Sequence, residues 1–286
     1  MAIRLHPDTH IGLVTLKVSS LQKSLAFYRD VVGLQILQEQ QSYADLTADG
    51  VQPLVRLVEV PEAVVLPRRA AAGLYHFALL LPDRHSLGLS LRHLIESGIH
   101  IGHSDHLVSE ALYITDPDNN GIEIYADRAR ELWQRDEHGE YIMGLDPIDK
   151  EGLLAEVGST EWNGLPPETI IGHIHLHVSN LAKSRDFYTE VLGFDSTAHM
   201  DQSAWFVSAG GYHHHIGMNT WAGVGTPLAP PKAAGLAHYA IVLPNEQDVQ
   251  FIRERLSAAN IPFQTAAKQL IVHDPSGIEI HLQAAP

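Results

Sequence analysis

The chain of 286 residues holds 19 histidines and no cysteine. Imidazole binds transition metals through either ring nitrogen and changes charge near neutral pH. The missing thiols exclude thiolate zinc sites, cysteine-held iron–sulfur clusters, disulfides and a cysteine nucleophile. The open chemistry is therefore metal binding through nitrogen and oxygen, or proton transfer by histidine. Three recurring positions sharpen this. Leu13 of the first half corresponds to His173, His76 to His238, and Glu123 to Glu279. Two histidines and one carboxylate hold a divalent ion such as Fe(II), Mn(II) or Zn(II) and leave coordination positions for substrate. The second half, with His173, His238 and Glu279, is expected to carry the metal. The first half lacks one ligand at Leu13, so His76 and Glu123 are expected to be structural.

Other histidines cluster nearby. His175 and His177 share a strand face with His173, because alternate residues point the same way. In the run Tyr212-His213-His214-His215, His214 faces away from its neighbours. A histidine beside a metal-bound substrate can act as acid and base, and His214 is the candidate. His175, His213, His215 and His273 are candidate pocket residues.

These positions need elements to hold them, and the chain repeats itself. Ile11-Gly12 through Val18 recurs as Ile171-Gly172 through Val178 (171 − 11 = 160), and Gly73-Leu74-Tyr75-His76 as Gly235-Leu236-Ala237-His238 (235 − 73 = 162). Asp116-Pro117 followed by Gly121-Ile122-Glu123-Ile124 recurs as Asp274-Pro275 followed by Gly277-Ile278-Glu279-Ile280. The Asp-Pro pairs read as turn formers. Residues 11–18 read as a strand. Residues 20–32 read as a helix, capped by Ser20 and stopped at Gly33, with Leu21, Leu25, Tyr28 and Val32 on one face. Short strands follow at Tyr43–Thr47 and Leu54–Val60. Residues 74–125 repeat the plan, with a helix at about 84–97. Four βαβββ units result, near 10–61, 73–126, 170–219 and 235–283.

The expected organisation is α+β: residues 1–128 as one domain of two units, 129–168 as an acidic linker, and 169–286 as the metal-bearing domain. Residues 130–168 carry ten acids and three bases, a net of −7, and read as a solvated connector with a short helix near 149–156. The whole chain has 19 Lys and Arg against 34 Asp and Glu, a net of −15, which disfavours nucleic acid. No apolar run nears the roughly 18 residues of a membrane span. The opening residues do not read as a signal peptide, so a cytoplasmic protein is expected.

These motifs carry a resemblance. Ile171-Gly172-His173, Val178-Ser179-Asn180-Leu181, Phe187-Tyr188 and Val191-Leu192-Gly193-Phe194 resemble the opening unit of the vicinal oxygen chelate superfamily. Gly235-Leu236-Ala237-His238 and Asp274-Pro275-Ser276-Gly277-Ile278-Glu279 resemble its second and third ligand motifs. The superfamily includes glyoxalase I, fosfomycin and bleomycin resistance proteins, and extradiol dioxygenases. Four units in one chain look like the two-domain type I extradiol dioxygenases, and more narrowly the bacterial catechol 2,3-dioxygenase group. The resemblance implies units paired into two open, barrel-like domains, with His173, His238 and Glu279 holding Fe(II) and His214 as acid/base. It implies a catechol and O2 as substrates, with a 2-hydroxymuconic-semialdehyde-type product, and an assembly that is either a monomer or a homo-oligomer. The alternatives are a Zn or Mn glyoxalase-like isomerase, lyase or resistance enzyme, for which His215 could be a fourth ligand, and a non-catalytic small-molecule-binding protein. The family places a second His and a Tyr before the Glu strand. Phe263–Ile271 has neither, whereas the first half has His103, His106 and Tyr113 in a similar-looking stretch.

Overall fold

The computed structural model describes residues 4–285. All four expected units are present. The first runs β1 (His10–Val18), α1 (Leu21–Phe27), β2 (Gln35–Glu39), β3 (Tyr43–Thr47) and β4 (Val55–Glu59). The second runs β5 (Gly73–Leu81), α2 (Arg84–Glu96), β6 (Gly102–Asp105), β7 (Ser109–Thr115) and β8 (Gly121–Asp127). After α3 (Lys150–Val157), the third runs β9 (Ile170–His177), α4 (Leu181–Asp186), β10 (Asp195–Met200), β11 (Ala204–Ser208) and β12 (Ile216–Asn219). The fourth runs β13 (Gly235–Leu243), α5 (Glu246–Ala258), β14 (Phe263–Ala266), β15 (Gln269–His273) and β16 (Glu279–Ala284).

Local chemistry explains the helices. Ser20 accepts from the Lys23 amide at the start of α1. Past Phe27 the helix widens into a π turn over Tyr28–Val32 that ends at Gly33, whose φ of 93° suits glycine. The third unit repeats this, with Asn180 as cap and Gly193 as stop. Asp83 caps α2.

The pairing of units corrects the expected domains. One eight-stranded sheet has the order β14-β15-β16-β13-β1-β4-β3-β2, and the other β10-β11-β12-β9-β5-β8-β7-β6. The first unit thus pairs with the fourth and the second with the third, so residues 1–128 and 169–286 are not self-contained domains. The cause is that every unit presents the same free edge, its opening strand, and a repeat does not say which two edges meet. Side chains at the seam favour the observed partners. A Cβ on Gly172 of β9 would stand 1.8 Å from the Tyr125 hydroxyl of β8, so the two fit only because residue 172 is glycine.

The acidic segment is also more than a solvated connector. Its helix α3 buries Leu153 and Val157 against α2, where Gly88 leaves room for the Leu153 carbonyl. Trp133, Ile148 and Leu165 are buried too. Arg84 bridges Glu110 and Glu156, tying α2, β7 and α3 together. Among the described residues no helix is long and apolar enough to cross a membrane.

Residues 1–128 expressed alone should not give a folded monomer, because β1 and β5 would each lack a partner strand. Mixing them with residues 129–286 should restore native circular dichroism and dispersed NMR spectra. A well-folded, monomeric 1–128 fragment would contradict the cross-half pairing.

Candidate metal centre

β5 pairs antiparallel with β9 and parallel with β8. Ala78 of β5 stands opposite both Glu123 of β8 and His173 of β9. Directly opposed residues share a sheet face, and so does His76, two residues before Ala78. The small Ala78 leaves the space into which the three longer side chains converge. His76 Nε2 lies 3.0 Å and His173 Nε2 3.2 Å from Glu123 Oε2. The three residues are at most 5% exposed. His76 Nε2 is close to the carboxylate but out of line for a hydrogen bond, so this buried nitrogen has no partner.

That geometry fits a metal ion. Ligands about 2.1 Å from an ion at right angles stand about 3 Å from each other. Burial pushes His173 down to about 4, only partly offset by Glu123, so its imidazole is neutral and its lone pair available. Burial works to raise the Glu123 carboxyl, but His173 and His76 hold it well below the usual range.

The expected set of His173, His238 and Glu279 is not brought together. His173 belongs to the buried trio, whereas His238 and Glu279 lie in the other sheet with His281. The physical reason is twofold. The cross-half pairing sends β9 to β5 and not to β13. The Gly-Ile-Glu-Ile strings are also out of register by two. In the first turn the Asp116 amide donates to the Asn120 carbonyl and in the second Asp274 donates to Ile278, so Gly121 matches Glu279 and Glu123 matches His281. Strand pairing agrees, with Ala78 opposite Glu123 and Ala240 opposite His281. The second cluster also lacks convergence. The His238 and His281 rings stack at 3.9 Å with planes 4° apart, so their in-plane lone pairs run parallel and do not meet on one ion.

A cavity of about 190 Å³ opens on the buried trio, reaching His76 and Glu123. Phe206, Trp221, Met143 and Met200 give it apolar walls, and His214, His106 and Tyr113 give it polar points. His106 donates from Nδ1 to the Gly144 carbonyl at 2.8 Å, which leaves its Nε2 to accept the Tyr113 hydroxyl at 2.6 Å. Burial, then Glu123, pushes Tyr113 well above 10, so it is a neutral phenol. Met143, Gly144 and Leu145 come from the acidic segment, which thus forms one wall.

The remaining candidates divide. His214 lines the cavity with its ring 4.1 Å from that of His173, and burial followed by neighbouring imidazoles keeps it well below 6.5. His175 also lines it, accepting from Asn219 at 2.9 Å. His213 sits behind His214 at 2.7 Å. His215 accepts from the Ala209 amide and faces a different cleft. His273 lies 3.5 Å from Glu279, away from the cavity. The residues that sequence reasoning set aside are His76 and Glu123. The signal was present: Asp116 to Glu123 spans seven positions and Asp274 to Glu279 only five, and only the former follows a stretch with both His106 and Tyr113.

The model of the Glyoxalase/Bleomycin resistance protein/Dioxygenase superfamily matches residues 10–124 and 170–282. The chain is 53% identical over 272 residues to the catechol-2,3-dioxygenase of Bacillus subtilis (strain 168), covering 95% of each. It shares its fold with a solved protein of Bacillus subtilis subsp. subtilis str. 168, at a TM-score of 0.69 and 13% identity over 99% of this chain and 87% of that one. It likewise shares its fold with glyoxalase I of Zea mays, at a TM-score of 0.58 and 14% identity over 96% and 92%.

Two outcomes follow from the geometry. Glu123→Ala should abolish stoichiometric retention of a divalent ion while Glu279→Ala leaves it intact, as read by elemental analysis after loading and gel filtration. The second concerns pH. Burial lowers His173 and His238 to about 4 and His215 to about 3, against an ordinary 6.5. Below pH 6.5 the unfolded chain binds protons that the native chain refuses, so stability falls with falling pH. Asp274, pushed up to about 6 by burial, and Asp116, also raised by burial, work the other way but are outnumbered, since burial lowers His175, His177 and His214 as well. The Tm of metal-free protein should therefore decline from pH 6.5 towards 4; a flat profile there would contradict neutral buried histidines.

Proposed function

Because the chain belongs to the Glyoxalase/Bleomycin resistance protein/Dioxygenase superfamily, we propose that it is an Fe(II)-dependent extradiol dioxygenase acting on a catechol. The observation that carries this reading is the buried His76–Glu123–His173 trio at one end of an aromatic-walled cavity. The catechol-2,3-dioxygenase named above, similar over nearly the whole chain, supports it. His76, Glu123 and His173 would hold the ion through two imidazole nitrogens and one carboxylate oxygen. A bound Fe(II) would supply a Lewis-acid and redox centre for the vicinal diol and O2. Mn(II) in place of Fe(II) is compatible with the same donors.

The chain's own residues do the rest. Phe206 and Trp221 offer flat apolar contact to a planar ring. His214 is neutral and faces the cavity, so it can accept a proton from a catechol hydroxyl and return it later. Tyr113, whose hydroxyl proton is held by His106 Nε2, adds an acceptor oxygen to the cavity wall beside Glu123. The wall from Met143 to Leu145 limits water. The reaction balances without an added reductant: both oxygen atoms enter the substrate, the C–C bond beside the diol breaks, and a 2-hydroxymuconic-semialdehyde-type product results. A glyoxalase-like Zn centre with His215 as fourth ligand loses support, because that ring turns to the Ala209 amide. The proposed reaction calls on neither nucleic acid nor membrane.

Anaerobically loaded with Fe(II), the protein should consume one O2 per catechol and give a yellow, visible-absorbing product. No oxygen uptake with several catechols in iron-replete protein would sink the dioxygenase reading. His214→Gln should retain iron and lower kcat by about 10²–10⁴-fold, the usual scale of general acid–base loss.

A further inference from the structure

Behind His214 runs a file of polar groups, buried apart from the part-exposed Asp127, with no part in the reaction as described so far. His214 Nδ1 lies 2.7 Å from His213 Nδ1, and His213 Nε2 lies 2.9 Å from Asp127 Oδ1. His213 is fully buried. The Tyr212 hydroxyl donates to the same Asp127 oxygen at 3.3 Å, and Tyr125 is 2.6 Å from Tyr212. Asp127 closes β8, four residues beyond Glu123. It borders a shallow cleft shared with His10 and Arg130, on a different side from the catechol cavity.

We infer that Asp127, acting through His213, fixes the tautomer of His214 so that Nε2 meets the cavity as a bare acceptor. The polarity follows from the donors and acceptors present. A carboxylate only accepts, and a neutral imidazole has one N–H and one lone pair. His213 must therefore carry its proton on Nε2, towards Asp127. Its Nδ1 is then an acceptor, so the proton of the short His213–His214 contact belongs to His214 Nδ1. With that proton placed, His214 Nε2 is left with a lone pair. Among the described residues no protein group bonds to this nitrogen, and the ring lines the cavity. The Tyr212 hydrogen bond anchors Asp127 without competing for the His213 N–H, because it donates to the same carboxylate. Asp127 and His213 touch neither the cavity nor the metal trio through hydrogen bonds, so they are positioning residues. Without Asp127 nothing would stop His214 from presenting N–H to a substrate hydroxyl, which is the wrong polarity for a base.

The inference rests on His214 being the proton acceptor of the proposed reaction, and the test separates the two. Full-length protein labelled with ¹⁵N-histidine and loaded with diamagnetic Zn(II) gives the tautomers from long-range ¹H–¹⁵N correlations, with His214 assigned by its loss in His214→Gln. The expected wild-type pattern is Nδ1–H on His214 and Nε2–H on His213. In Asp127→Ala the His214 tautomers should mix, and the iron-loaded enzyme should lose kcat by roughly tenfold or more, with KM for catechol and iron content within about twofold. Asp127→Asn keeps an acceptor oxygen and should restore both readouts. An Nε2–H on His214 in wild type, two protons on His213, or a kcat loss in Asp127→Ala without a tautomer change would overturn the inference. Wild-type spectra decide it even if Asp127→Ala does not fold. Absent oxygen uptake in wild type would remove the dioxygenase reading, while the spectra would still show whether Asp127 sets the tautomer.

Discussion

The antiparallel pairing of β5 with β9 is the constraint on which the site depends. It brings a strand of the third unit against one of the second, across a seam between parts of the chain nearly one hundred residues apart. Without it His173 would have no carboxylate, and His76 with Glu123 would lack a third donor. Gly172 permits the approach, because any side chain there would meet Tyr125. The cavity depends on the same seam, since β8 supplies Glu123 from one unit and β11 supplies Phe206 from the other. The contacts that hold the fold thus also assemble the chemistry.

Burial then determines which chemistry is possible. An isolated carboxylate without water is costly, and so is a protonated imidazole. Here they are placed so that Glu123 is ionised and His173 neutral. Such a set is poorly satisfied without a cation: one carboxylate faces two imidazoles, and His76 Nε2 has no partner. The polar points around the cavity are held in one orientation by neutral hydrogen bonds. Tyr113 is fixed by His106, and His106 by the Gly144 carbonyl of the segment that joins the halves. That segment therefore contributes to the site and does not merely connect.

Much of this was legible in the sequence, and the reasons for the rest are physical. The four units, their element order and the cap and stop of the first helix followed from apolar period and from Ser20 and Gly33, because local propensity sets them. The type of ligand was legible too, since His, His and Glu at strand positions leave few other uses. Partner choice was not, because opening strands of similar apolar pattern carry no label for the edge they will meet. The string Gly-Ile-Glu-Ile misled for a different reason. Four shared letters in a strand weigh less than the turn preceding it, whose Asp116 and Asp274 hydrogen bonds fix where the strand begins. Counting from that aspartate aligns Glu123 with His281.

Duplication has left the two sheets chemically unequal, and three positions account for it. Around Ala78 stand His76, Glu123 and His173. Around Ala240 stand His238 and His281, and the repeat puts Leu13 in the first unit's opening strand where the third unit has His173. An imidazole at the position of Glu123 removes the carboxylate from that point, and leucine at the position of His173 offers no donor. The two remaining rings stack and share Glu279, with His281 at 2.8 Å from its oxygen. Glu279 comes from the position that Gly121 holds in the other sheet, where a Cβ would strike the Tyr75 carbonyl at 2.2 Å. The same scaffold therefore makes a convergent, buried donor set in one sheet and a divergent, partly exposed one in the other. What separates them is which atoms point inward, not how many histidines are near.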